Sequence, residues 1–180
     1  MTPEAHERAT RIDVLALDVD GVLTDGRIIY SDAGHELQMF HVRDGSGLAM
    51  WHRAGKRTAV ITGRGSAALE RRTAAICISA VLQHVTDKGA ALARICGEFA
   101  VSPDRVAVVA DDLPDLAMLR SAGVRCAVAD ACREVRDRAD YITHAPGGRG
   151  AVREIIELLL QAQGNWPAID GDWLVPRNEE

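Results

Sequence analysis

Two acidic clusters carry the spacing that chemistry needs, Asp18-Val19-Asp20-Gly21 and Asp111-Asp112-Leu113-Pro114-Asp115. Carboxylates two apart on an extended chain point the same way, and like charges that close repel unless a cation or a shared proton relieves them. A hard divalent ion with oxygen ligands gives that relief, and Mg²⁺ held by few carboxylates beside a phosphate suits the set. Thr62-Gly63-Arg64 and Lys88 add what a phosphate needs: a hydroxyl, backbone N–H groups and an ammonium. Each group alone also has a plain structural reading. A strand-end Asp often makes a turn or caps a helix, Thr62 could cap one too, and Lys88 could be a solvated side chain at a helix start. The helix dipole disfavours a cation at that end, so a bound phosphate would give Lys88 a reason to be there.

The elements around these residues decide whether they meet. Val14–Leu17, Thr58–Ile61, Val106–Val109 and Val124–Val128 are apolar runs that read as short buried strands, and Ala80–His84 adds another run. Gly45–Ala54, Ser66–Ile76, Lys88–Phe99 and Pro114–Ser121 read as helices between them. Gly55 and Gly123 follow the first and last of these, where left-handed caps belong. Tyr141–Thr143 suits an edge strand, and Ala151–Gln163 a last helix with Val152, Ile155, Ile156, Leu159 and Leu160 on its apolar face. Ile28–Tyr30 and Glu36–Val42, joined by Ser31-Asp32-Ala33-Gly34, predict a projecting antiparallel β-hairpin. The alternation predicts an α/β domain, a doubly wound parallel sheet over residues 1–164, with a tail at 165–180. In such sheets the ligand crevice lies beyond the carboxyl ends of the strands, and four strand ends here deliver carboxylates, a hydroxyl and an ammonium to one edge.

Composition narrows the field. The 180 residues are 47% hydrophobic and 26% charged, with a net charge of -5 and no long block of Lys or Arg. A nucleic-acid partner would need clustered cations, and no apolar run approaches the length of a membrane span. Charges at the start of the chain stand where a signal peptide would be apolar. Cys77, Cys96, Cys126 and Cys132 lack paired zinc-site spacing and read as buried free thiols of a cytoplasmic protein. His41, His84 and His144 show no partner spacing.

The order Asp18-x-Asp20, Thr62, Lys88, Asp111 to Asp115 resembles the four motifs of the haloacid dehalogenase superfamily of phosphohydrolases. Within it, the stretches DVDGVLTDG (18–26), VRDG (42–45), ITGR (61–64), VADA (128–131) and GGRGAVRE (147–154) resemble the family of 3-deoxy-D-manno-octulosonate 8-phosphate phosphatases. Ala110 departs from the usual Gly before the paired aspartates. The resemblance implies a Mg²⁺-dependent phosphomonoesterase with a phosphorylated sugar acid as substrate. Asp18 would be the nucleophile and Asp20 the general acid and base. Asp18, Asp111 and the Asp20 carbonyl would hold the metal, while Thr62, Gly63 and Lys88 hold the phosphoryl oxygens. Asp115 would orient Lys88 or the metal ligands, and Asp112 would stand near the metal.

The gaps between motifs are too short for a cap domain, so the family's homotetramer would supply the missing wall through hairpins and chain ends. Arg64, and Arg149 on a mobile glycine loop reaching a neighbour, are candidates for reading the substrate carboxylate. Three other readings compete. A phosphatase for nine-carbon sugar-acid 9-phosphates is disfavoured by Arg64, where some of those enzymes use an acidic residue. A signalling receiver domain would have its acidic pair at the first strand and its phosphoacceptor at the third, before the Thr and Lys; here Thr62 and Lys88 come before the second cluster. A catalytically silent homologue would not need every one of these groups.

Overall fold

Strands that are apolar at every position need cover on both faces, and two here have it. Val14–Leu17 (β1) and Val106–Ala110 (β6) are buried along their whole length. In the computed structural model, which describes residues 1–166, they are the two central strands of a six-stranded sheet. A helix, α1 (Pro3–Ala9), precedes β1. After β1 come the hairpin β2 (Ile29–Tyr30) and β3 (Glu36–Leu37), then α2 (Val42–Arg53), β4 (Arg57–Ile61), α3 (Ala67–Ala75), β5 (Ala80–Leu82) and α4 (Lys88–Glu98). Beyond β6 follow α5 (Leu116–Ser121), β7 (Val124–Ala127), α6 (Arg133–Arg136), β8 (Tyr141–Ile142) and α7 (Ala151–Ala162).

The sheet runs β5-β4-β1-β6-β7-β8 and is parallel throughout. The chain leaves β1 toward β4 and β5, then returns to build the other half from β6. That reversal creates a crevice at the carboxyl ends of β1, β4 and β6. Right-handed crossovers in opposite directions put α2 on one face and α4 and α5 on the other. The helix contacts agree: α2 packs most extensively on α7, and α4 on α5. Val152, Ile155, Ile156, Leu159 and Leu160 of α7 are all fully buried, as its periodicity predicts. Truncating a central side chain such as Leu15 or Leu17 to Ala would cost about 2–5 kcal/mol.

Several boundaries differ from the sequence reading, each for a physical reason. The strand expected over Glu36–Val42 ends at Leu37, and α2 begins at Val42 instead of Gly45. The buried Asp44 carboxylate in the first turn of that helix accepts the N–H groups of Gly150 (3.2 Å) and Arg153 (2.9 Å), so α2 carries the cap of α7. Burial still pushes the Asp44 carboxyl above its usual range. Gly55 takes the left-handed cap, with φ at 74°. Gly123 does not; a Cβ there would overlap the Asp104 backbone, so close approach explains this glycine. Helix Pro114–Ser121 is split, its first residues forming a 3₁₀ turn over Leu113–Asp115. The helices α1 and α6 lie outside the elements read from sequence.

Of the four thiols only Cys96 and Cys126 are buried; Cys132 is half-buried and Cys77 is exposed. No helix among the described residues is long and apolar enough to cross a membrane. The expected tail falls mostly outside the described residues. Its first two are docked, with Asn165 N–H donating to the Leu160 carbonyl at 2.9 Å and Trp166 packing on the core beneath Arg153.

Candidate active site

In-register pairing sets the site. Leu17 lies opposite Val60 on one side and Val109 on the other, so the residues just past the strands arrive side by side. They open into a cleft of about 420 Å³ lined by Asp18, Asp20, Thr62, Arg64, Lys88 and Asp111, with Gly63, Asp112 and Asp115 also on its wall. Asp18 is only 7% exposed, and its N–H donates to the Val109 carbonyl at 3.3 Å. The chain then turns sharply, with Leu23 and Thr24 N–H both donating to the Val19 carbonyl. Gly21 adopts φ at 98°, and a Cβ on it would overlap the Asp111 carboxylate. Thr62, at the end of β4, is buried, and its hydroxyl accepts the Arg64 N–H at 3.2 Å.

Lys88 opens α4 just after Asp87, whose carboxylate caps the helix at the Ala90 N–H (3.0 Å). A buried ammonium at a helix start needs anions. Nζ of Lys88 lies 2.8 Å from Asp18 Oδ1 and 2.5 Å from Asp115 Oδ1. Burial pulls the Lys88 ammonium down, but the two carboxylates more than reverse this and hold it charged. The second oxygen of Asp115 accepts the N–H groups of Asp111 (3.1 Å) and Asp112 (3.4 Å). Asp115 therefore ties Lys88 to the loop that carries Asp111, while Asp112 is exposed on the cleft rim.

The charge balance is poor without a further cation. Asp18, Asp111 and Asp115 bring carboxylate oxygens within 4.8 Å of one another, and among the described residues the Lys88 ammonium pairs with two of them. Asp18 is pushed up to about 6, by burial first and then by Asp115, with Lys88 opposing. Asp111 is pushed up to about 8, again by burial and then by Asp18 and Asp115. Its Oδ1 is buried without a hydrogen-bond partner among the described residues. An orphaned oxygen among carboxylates fits Mg²⁺, which favours carboxylate and carbonyl oxygen.

The carboxylate cluster is formed by Asp18, Asp111 and Asp115, while Asp20 turns its carboxyl to other partners. Its Oδ1 accepts Gln38 Nε2 at 3.1 Å, and Oδ2 lies 3.7 Å from Arg64 Nε. Nη2 of Arg64 donates to both oxygens of Glu36 at 3.0 Å. Gln38 and Glu36 join the candidates read from sequence; the alternation from Glu36 to Met39 signals them, its polar phase facing inward while Leu37 and Met39 are exposed.

Arg149 does not line the cleft of its own chain; it borders separate hollows, 4.0 Å from Asp25. Two glycines that precede it, Gly147 and Gly148, are closely packed against the turn after Asp18. Gly148 N–H donates to the Val22 carbonyl at 2.9 Å, and a Cβ on Gly147 would overlap the Gly21 carbonyl. They let this loop buttress the turn after Asp18. His144 is paired with Glu154 at 2.9 Å, away from the cleft.

Fold and site together define a phosphohydrolase of the haloacid dehalogenase type, and residues 71–155 match the family model of haloacid dehalogenase-like hydrolases. The 3-deoxy-D-manno-octulosonate 8-phosphate phosphatase of Salmonella typhimurium is 43% identical over 164 residues, covering 91% of this chain and 87% of that one. The crystal structure of the corresponding phosphatase from Moraxella catarrhalis, in complex with magnesium, phosphate and KDO, is 40% identical. It has a TM-score of 0.93 and covers 96% of this chain and 99% of that chain. A cobalt-bound Haemophilus influenzae phosphatase is 36% identical with a TM-score of 0.87, over 91% and 95% of the two chains. This chain belongs to the haloacid dehalogenase-like hydrolases and, within them, to the family of 3-deoxy-D-manno-octulosonate 8-phosphate phosphatases.

Proposed function

We propose that the protein is a Mg²⁺-dependent phosphatase that hydrolyses 3-deoxy-D-manno-octulosonate 8-phosphate to the free sugar acid and phosphate. The observation that carries the substrate is the similarity, over nearly the whole chain, to the Moraxella catarrhalis phosphatase in complex with magnesium, phosphate and KDO. In this reading an Asp18 carboxylate oxygen attacks phosphorus and displaces the sugar oxygen, giving an aspartyl phosphate. Asp20 protonates the departing oxygen, then takes a proton from the water that cleaves the intermediate. Thr62, Gly63 and Lys88 hold the phosphoryl oxygens as charge redistributes. Asp18, Asp111 and the backbone carbonyl of Asp20 would hold Mg²⁺, which neutralises charge between the anionic nucleophile and the phosphate. Asp115 fixes Lys88, and Asp112 stands at the cleft mouth. Arg64 reads the substrate carboxylate by exchanging its Glu36 partner, and Arg149 serves a neighbouring subunit's site.

Residues 1–164 form the catalytic domain, with 165–180 as a tail, in a homotetramer. Ile28, Tyr30, Leu37 and Met39 are large apolar side chains left exposed on a projecting hairpin, which supports burial against a second copy. A monomer by light scattering at micromolar concentration would overturn that assembly. A cytoplasmic setting agrees with four cysteines that are all free. The catalytic assignment is tested by mass spectrometry of acid-quenched enzyme. A phosphate adduct on the Asp18 peptide, lost in Asp18→Asn, is expected; turnover by Asp18→Asn would refute the nucleophile.

A further inference from the structure

Asp20 must present its proton to the leaving oxygen at a fixed angle, yet it sits on a turn and its carboxyl touches none of the ion pairs that lock Asp18. We propose that Gln38, on the hairpin, is the positioning residue that orients the Asp20 carboxyl for proton transfer. This inference rests on the reading of Asp20 as general acid.

The hydrogen bonds fix which way the Gln38 amide faces. Ser66 caps α3, so its Oγ already accepts the Leu69 N–H at 3.0 Å. Its own hydroxyl proton is free to donate, and Gln38 Oε1 receives it at 2.5 Å. With its carbonyl oxygen committed to Ser66, the Gln38 amide can turn only its NH₂ to Asp20. Nε2 donates to Asp20 Oδ1 at 3.1 Å. Ser66 is in turn held by its N–H donating to Gln83 Oε1 at 2.9 Å. A helix cap thus anchors a side chain from the hairpin, and that side chain holds one oxygen of Asp20. The other oxygen is left facing Arg64 and the cleft. Glu36, two residues earlier on the same inward phase, holds Arg64. The hairpin therefore braces two residues that line the cleft, Asp20 and Arg64, from within its own chain.

The test separates positioning from mere support. A sugar-alcohol phosphate needs its leaving oxygen protonated, whereas p-nitrophenyl phosphate departs as a stable phenolate and does not. The parameter kcat/KM reports only steps up to departure of the alcohol, so its ratio for the two esters isolates the acid role. Gln38→Met keeps the side-chain volume and removes the hydrogen bonds; Gln38→Ala is its companion, and far-ultraviolet circular dichroism checks that both variants fold. The expected result is a fall of about tenfold or more in kcat/KM for the sugar phosphate, against less than about threefold for the aryl ester. An equal fall for both esters, or no fall, would overturn the inference. Asp20→Asn, run alongside, should collapse the same ratio further. If it collapses and the Gln38 variants do not move, the inference alone fails; if Asp20→Asn leaves the ratio unchanged, the general-acid reading fails and takes the inference with it.

Discussion

Removing one carboxylate from the proposed metal site should stabilise the metal-free protein. Asp111 titrates near 3.8 when unfolded and is pushed up to about 8 in the fold, so the folded state holds its proton more tightly. By linkage, stability without metal falls as pH climbs from about 4 to about 8, then levels off. Were Asp111 to titrate alone, the loss at pH 7 would be about 4 kcal/mol. Sharing a proton with Asp18 and partial contact with water reduce this to roughly 2 kcal/mol. Asparagine cannot ionise in the unfolded chain and escapes the loss. In chelator at pH 7, Asp111→Asn is therefore expected to be more stable than the wild type by about 2 kcal/mol, with the gap narrowing toward pH 5. Mg²⁺ reverses the order: at a hundred times its dissociation constant it adds about 2.7 kcal/mol to the wild type, while the variant should gain little. Urea unfolding in EDTA and in Mg²⁺ measures both. A variant less stable than wild type in EDTA, or equal stabilisation of both by Mg²⁺, would refute the electrostatic account.

Other outcomes follow from particular contacts. Lys88→Met leaves Asp18 and Asp115 buried without their cation and should cost about 3–5 kcal/mol, read from the urea midpoint; a loss below about 1 kcal/mol would contradict the pairing. Gly147→Ala drives a methyl into the Gly21 carbonyl, a backbone atom with nowhere to go. Displacing that turn by about 1 Å should lower kcat by up to about a hundredfold while far-ultraviolet circular dichroism stays native. Arg64→Ala should raise KM for the sugar-acid ester much more than for p-nitrophenyl phosphate, which has no carboxylate; equal effects would remove Arg64 from substrate recognition.

Much of the fold could be read from local pattern because its central strands leave no ambiguity. β1 and β6 are apolar at every position, and α7 carries its five predicted apolar residues on one buried face. The cleft was legible for the same reason: once parallel strands are placed, the residues just past them must meet. What pattern could not show depends on contacts distant in sequence. Asp44, in the first turn of α2, caps a helix more than a hundred residues later. The glycines at 147 and 148 read as a flexible loop, yet they allow close approach to the turn after Asp18. The approach of Asp111 and Asp115 to Asp18 joins residues more than ninety positions apart, and the spacing of Asp18 and Asp20 alone does not reveal it. Gln38 was hidden because its partners, Asp20 and Ser66, lie 18 and 28 residues away.

The most direct test of the proposed activity is phosphate release with Mg²⁺ from 3-deoxy-D-manno-octulosonate 8-phosphate, compared with nine-carbon sugar-acid 9-phosphates and hexose phosphates. A kcat/KM for the eight-carbon ester at least about tenfold above every other ester, corresponding to about 1.4 kcal/mol of discrimination, is the predicted result. Equal turnover of all the esters would contradict the substrate assignment, and no turnover of any would contradict the activity itself.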